Sequence, residues 1–500
     1  MPISRRDFLK FSGGAVAAIS ATAAVGSRTL WAQPTAQDSA MVDDVYHLLN
    51  RITWGVRADE LAHAREIGYQ AYLEEQLVPD RIDDSVADAL LAENPILTFN
   101  RADADRLQNR EWRTQSALID GMLTRAVHSQ RQLFERMSEF WFDHFNIPAD
   151  ELGADLVVYH RDVVRRNVLG NFRDLLFGTA RTPAMLYYLD NYLNVAEHPN
   201  ENWAREVLEL HTLGVDGGYT ENDVKEIARA FTGWTINDGT DDGFWFDASV
   251  HDTDEKVIFG HTFPAGRGIE DGLHVLSLLA NHPMTARYVS GKLIRRFVSD
   301  MPPESLVEST TQVWIDNNGE IVPVLRHVFN SDEFRASVGQ KLRRPLEFFV
   351  AALRSTGTQF TDSWRRFETL EDLAQIPYGW QPPNGYPDVA GAWMNTGGLL
   401  ARWNVAVLLT HGAHSDINEW GVRSALYEQI SDPATVGELV DQLAVRVYGD
   451  TILSPATRAH FVDFASDSQG EATTITAHLM ARKYATLYGL MLSAPIFQWR

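Results

Sequence analysis

Two histidines and a glutamate stand where packing alone would not place them. On a helix at roughly 100° per residue, Trp203, Ala204, Val207, Leu208, Leu210 and Leu213 form a broad apolar arc. Glu206 falls inside that arc between Leu210 and Leu213, and His211 falls beside Val207 and Leu208. Arg205, Glu209 and Thr212 face the other way, with Arg205 and Glu209 at the i,i+4 spacing of a surface ion pair. A carboxylate on a buried face must be paired, protonated or bound to a cation, because an isolated buried charge is too costly. His144 shares one face of Arg131–Asn146 (RQLFERMSEFWFDHFN) with Met137, Phe140, Trp141 and Phe145. His160 falls among Leu156, Val163, Val164 and Asn167, and His251-Asp252 occupies a loop that could reach the first two helices.

Two chemistries suit these residue types. His144, Glu206, His211 and His251 together are donors for Zn²⁺, Mn²⁺ or Fe²⁺. Without a metal, Glu206 and His211, helped by Asn202, Arg205 and Asp252, could do general acid–base work, since burial raises a carboxyl pKa and histidine titrates near neutrality. No His-Glu-x-x-His or other recognised ligand spacing is present, and Glu206 and His211 diverge by roughly 140° on an ideal helix. A haem with His144 or His211 as axial ligand is a third option, and the cofactor itself stays undetermined.

The elements that would position these groups are helical. Val42–Ile52, Ala58–Leu77, Glu111–His128, Asn171–Phe177 and Thr182–Leu189 all carry helical patterns. Gly214 ends the Trp203–Leu213 helix, and Thr220 with Asp223 resembles an N-cap pair for the next. Further helices run from Gly272, through Ala286–Phe297 and Leu342–Arg354 (the latter with an exposed basic start), to Val436–Val447 and Thr473–Leu492. Phe244-Trp245-Phe246 and Lys256-Val257-Ile258-Phe259 flank HDTDE and suggest a short β-hairpin-like insertion near residues 243–263. Tyr378–Ala392 is too rich in Pro and Gly for a helix and reads as a long structured loop. The expected fold class is therefore all-α: one large multi-helix domain over residues 42–500, preceded by a linker at 33–41.

Composition narrows the function. A chain 45% hydrophobic and 22% charged is of ordinary soluble globular type. A formal charge of −23 argues against nucleic acid or an anionic membrane surface as the main partner. Ser4-Arg5-Arg6-Asp7-Phe8-Leu9-Lys10 matches the twin-arginine pattern, with an Ala/Gly/Ser-rich stretch to Val25 and cleavage expected after Ala32. This predicts recognition by the twin-arginine translocase, a periplasmic or extracellular location, and no membrane attachment after cleavage. Zero cysteines exclude disulfides, thiolate-held iron–sulfur clusters and c-type haem attachment.

Several stretches together resemble the bacterial domain-of-unknown-function family 1800: HLLNRITWG, FWFDHFNI, PAMLYYLDN, NENWAREVLELHTLGVDGGYT, ARAFTGW, HDTDEKVIFG and HPMTARYVSGKLIRRFV. The similarity covers nearly all of residues 42–500 in order, and departs where the family often reads Gly-Gln and this chain has Pro377-Tyr378-Gly379-Trp380. The resemblance implies export and a partner, a neighbouring exported sulfatase-like protein, but no activity. Two readings follow. One is an exported metal-dependent or acid–base enzyme with a buried His/Glu site; the other is a non-enzymatic scaffold or carrier serving that neighbour.

Overall fold

The computed structural model describes residues 33–500, apart from 151, 238–242, 361, 412–421, 424, 425, 427–429, 451 and 452. The twin-arginine segment, residues 1–32, lies outside the described residues. The fold is mainly helical, as the periodicity predicts, with small antiparallel strand pairs. The helices that matter most for the site are α1 (Asp44–Ile52), α2 (Arg110–His128), α3 (Gln132–His144), α4 (Gly153–Tyr159), α5 (Glu201–Glu206), α6 (Glu221–Ala230), α7 (Glu270–Ala280), α8 (Pro283–Phe297) and α9 (Pro345–Thr356). Behind them α10 (Thr396–His411) packs on α9 and on α12 (Ala477–Ser493), with α11 (Val436–Tyr448) alongside. One continuous apolar core includes residues from Tyr46 to Phe497.

Two helices form the centre. α3 buries Leu133, Met137, Phe140 and Trp141 on its apolar stripe, and also buries Arg136 and His144. α9 is buried along its whole length, starts with Pro345 in its first turn and stops at Gly357, whose φ of 62° is easy for glycine. Neither helix has a solvated face wide enough for its charges, so each charged side chain on them must find a partner inside the protein.

Local differences from the sequence expectation have local causes. Gly68, at φ 86°, splits the helix expected over Ala58–Leu77 into Ala58–Ile67 and Tyr69–Leu77. The segment read as a linker contains a helical turn, Ala36–Ser39, closed by a Thr35–Asp38 capping box. The Asp38 carboxylate also accepts from Thr457 Oγ1 at 3.0 Å, which fixes this turn to the body. Thr220 and Asp223 do form the reciprocal cap of α6.

The β insertion is present with different pairing. β1 (Trp234–Ile236) pairs with β2 (Phe244–Phe246), and β3 (Lys256–Ile258) with β4 (His261–Phe263), both antiparallel. The two expected strands therefore belong to separate hairpins. HDTDE is the connection between them, held down by ion pairs instead of serving as a turn.

The largest departure lies in the stretch read as one regular helix. α5 ends at Glu206, and Val207–Thr212 continues as a π-helix. The wider turn shifts the facing of the residues after it by about one position. Thr212, expected outside, is buried, whereas Leu210 is only half-buried. His160–Val164, directly after α4, is a second π-helical turn.

Candidate functional site

The expected site residues divide into three places. His144 and His211 meet: His144 Nε2 donates to the His211 carbonyl at 3.0 Å, and the ring centroids are 6.2 Å apart. Lys292 of α8 donates from Nζ to His144 Nδ1 at 2.9 Å. With one ring nitrogen donating and the other accepting, His144 is held as the neutral Nε2–H tautomer. Burial first, then the Lys292 charge and the adjacent His211, hold its pKa well below the usual histidine value. Burial and Lys292 push His211 down to about 3, and neither of its ring nitrogens has a hydrogen-bond partner among the described residues. Burial lowers the Lys292 ammonium to about 8, partly opposed by Asp143.

Glu206 is not part of that cluster. It is half-buried, and burial followed by repulsion from Glu209 raises its pKa. Arg205 is spread over Glu221 at 2.9 Å, Glu201 at 3.4 Å and Glu209 at 3.5 Å, a surface ion network. Asn202 is exposed and its side-chain amide donates to the Leu189 carbonyl at 3.3 Å.

His251 and Asp252 occupy the third place, under the β insertion. Asp252 takes two bonds from Arg229, at 2.7 and 3.1 Å, and its backbone N–H donates to Thr232 Oγ1 at 2.9 Å. His251 Nδ1 donates to the Thr232 carbonyl at 2.8 Å, and Nε2 lies 3.7 Å from Asp271, which pairs with Lys256 at 2.9 Å. These contacts staple the insertion to α6 and α7. Asp252, expected as a catalytic group, has its carboxylate engaged by Arg229 and lies apart from His144 and His211. Among the described residues no three His, Asp or Glu side chains lie close enough to hold a metal ion, so His144, Glu206, His211 and His251 do not assemble into one set.

The sequence reading missed the other flank of α3. Glu139 and Asp143, one turn apart, face Arg296 of α8 and Arg344 at the start of α9. Both arginines engage Glu139, while Asp143 Oδ2 accepts from Arg344 at 2.9 Å and from Arg296 at 3.3 Å. Arg296 also pairs with Asp388 from the proline-rich loop. Below this layer Glu347 takes Arg136 at 2.6 Å and Arg500 at 2.8 Å. The expected exposed basic start of the Leu342 helix is thus wrong: Lys341, Arg343 and Arg344 are all buried, because these partners wait inside.

This flank opens into a cleft lined by Glu139, Asp143, His160, Tyr378 and Tyr386 among others. The proline-rich loop forms its wall. Gly385, at φ 71°, lies against the Asp143 carbonyl so closely that a Cβ there would fall 2.0 Å from the oxygen. Asn146 Nδ2 ties the loop down by donating to the carbonyls of Trp380 at 2.7 Å and Pro382 at 2.9 Å. Tyr378 adopts φ 62°, a left-handed conformation that costs a bulky residue about 1 kcal/mol or more. Its hydroxyl reaches His160 Nε2 at 3.2 Å. The cleft narrows to a cavity of about 30 Å³, room for one or two waters.

The two carboxyls differ. Burial alone would raise Glu139, but Arg296, Arg344 and Arg136 win and keep its pKa low. Burial and the Glu139 charge push Asp143 up to about 7, against the opposing pull of the two arginines. Both arginine contacts fall on Oδ2, and Oδ1 of Asp143 accepts no hydrogen bond from a described residue. One oxygen is therefore clamped and the other is left able to exchange a proton.

The spacing Arg136, Glu139, Asp143 along α3 was visible as a charged stripe beside the aromatic one. What local periodicity could not show was that the stripe faces other helices and not water.

Compared with known families, the chain matches the family model described as "Protein of unknown function (DUF1800)" over residues 47–499. No curated protein and no solved structure matches it. No helix among the described residues is long and apolar enough to cross a membrane.

Proposed function

The chain belongs to this family of unknown function, and from that premise we propose that it is an exported enzyme performing general acid–base chemistry in the cleft, with Asp143 holding the working proton. The observation that carries the reading is the split carboxyl of Asp143: Oδ2 fixed by Arg344 and Arg296, Oδ1 unbonded on a residue that lines the cleft. A carboxyl that titrates near neutrality is present in both protonation states at working pH, which is what a general acid or base needs. Glu139, kept ionised, raises its neighbour's proton affinity, in the manner of paired carboxylates that share a site. Arg344 and Arg296 are positioning residues: they fix the carboxyl's orientation without reaching the reacting atoms through Oδ1. Export is supported by the Ser4–Lys10 pattern.

The acid–base role expected of Glu206 and the histidines thus passes to α3's carboxylates. Infrared difference spectra between pH 5 and 9 test it. A protonated-carboxyl C=O band should vanish with a midpoint near 7 in the wild type and be missing in Asp143→Asn. If the two proteins give the same bands, Asp143 titrates with ordinary carboxylates and the reading fails. A screen with small ester, amide and hydroxy-acid substrates should then find an activity that Asp143→Asn lowers by about 10²-fold or more while the fold is kept.

A further inference from the structure

Three side chains lining the cleft carry hydrogen-bond donors with no acceptor among the described residues. The half-buried Arg125 guanidinium, from α2, makes no hydrogen bond or ion pair with a described residue. Gln375 is fully buried; its Oε1 accepts from the Leu346 N–H at 2.9 Å, which fixes the amide's orientation and leaves the Nε2 donors unpartnered. Trp54 is 1% exposed and its indole Nε1–H is also unpartnered. All three side chains line the same cleft. A buried donor left without an acceptor costs on the order of 1–3 kcal/mol, so the Gln375 and Trp54 donors, beside a half-buried Arg125 with no anion, mark a place meant to be filled.

The charges around Arg125 sharpen the point. The nearby Arg165 is already spent on Glu135, with bonds of 2.6 and 2.8 Å. Burial, then repulsion from Arg165, lowers the Arg125 pKa to about 10, with Glu135 opposing only in part. His160 cannot serve as a second cation, because burial and these same two arginines hold it neutral. The cleft therefore offers one uncompensated positive charge and two neutral donors.

We propose that Arg125, the Gln375 amide and the Trp54 indole form a subsite for one carboxylate group of the ligand. A carboxylate fits on three counts. It brings the single negative charge that one free guanidinium balances. It is planar and matches the guanidinium fork. It is small enough for a cavity of about 30 Å³, with the rest of the ligand at the mouth. A dianionic phosphate would bring excess charge beside Glu135, Glu139 and Asp143, which line the same cleft. The subsite deepens the acid–base reading, since it would hold a carboxylate-bearing substrate in the cleft that Asp143 shares.

Calorimetric titration of the mature protein with acetate and butyrate, and separately with phosphate and sulfate, tests the subsite. Saturable binding of the carboxylates alone is the expected result in the wild type. Arg125→Gln should weaken it about tenfold or more, Gln375→Leu should weaken it less, and Arg125→Lys should fall between Arg125→Gln and wild type. Asp143→Asn should keep it, which separates failure of the subsite from failure of the acid–base reading. Absence of carboxylate binding in the folded wild type would mean that the donors hold waters only, and would overturn the proposal. Equal or tighter binding of phosphate or sulfate would overturn the carboxylate assignment, and undiminished binding by folded Arg125→Gln would remove the site.

Discussion

The two flanks of α3 carry the same kinds of polar side chain to opposite ends. On one, His144 and His211 are sealed among Phe140, Trp141, Phe145 and Trp203, and His144 gives both ring nitrogens to fixed partners. On the other, Glu139 and Asp143 are nearly as deep, but one carboxyl oxygen remains unbonded beside a cleft. Depth alone does not mark a working group. His144, with both ring nitrogens bonded, stabilises one packing arrangement, and His211, though unbonded, is fully buried; Asp143 combines an unbonded oxygen with a cleft beside it, which is what chemistry needs.

The comparison breaks most visibly if an arginine is removed from the carboxylate flank. Arg344→Ala leaves Glu139 and Asp143 with one cation in place of two, and should cost about 3–5 kcal/mol in urea unfolding. A loss below about 1 kcal/mol would mean that the carboxyls are simply protonated and the network is not ionic. On the histidine flank, His144→Ala removes packing and two hydrogen bonds but no obligatory charge partner. About 2–4 kcal/mol is expected from the same measurement.

The flanks should also respond oppositely to pH. His144 and His211 have folded pKa values below the unfolded one near 6.5. Their contribution is present above pH 6.5 and is lost as pH falls, by up to about 1.4 kcal/mol per pH unit for each histidine. Asp143 has a folded pKa above its unfolded value of 3.8. Its contribution is present below pH 3.8 and is lost as pH rises through about 7. Stability curves from pH 4 to 8 should therefore steepen in Asp143→Asn, which removes the compensating slope, and flatten in His144→Phe. Changes of the same sign in both variants would dissolve the contrast.

The smallest effect sharpens the comparison most. The His211 ring makes no hydrogen bond with a described residue, so His211→Leu removes an unsatisfied donor and should be neutral or stabilising by up to about 1 kcal/mol in thermal unfolding. A loss of several kcal/mol would show that the ring has a partner, and His211 would then join His144 as a packing group.

Parts of this design were legible in the sequence. His144 falls on its apolar face by simple periodicity and is buried, and the Thr220–Asp223 cap of α6 follows from residue types three apart. The Arg205–Glu209 pair was readable from its spacing, as was the non-helical character of the proline-rich loop up to Val389, whose last residues instead enter a short helix at Ala390–Trp393. Other features were not readable from periodicity. A window at 100° per residue assumes one helix geometry, so the π-helical turn at Val207–Thr212 exchanged the surroundings of Leu210 and Thr212. Glu206, expected on the buried face, is only half-buried.

The sequence by itself determined the local things: which segments are helices, where glycine and proline stop them, which stripe of α3 is apolar, and that no cysteine chemistry is available. Only the tertiary structure decided which charges are inside. The Arg344 run reads as an exposed basic start until Glu139 and Asp143, some 200 residues earlier, are brought against it. The reason is energetic: an arginine is stable in the interior only if its carboxylate is already there, and that condition depends on pairs that no local window contains.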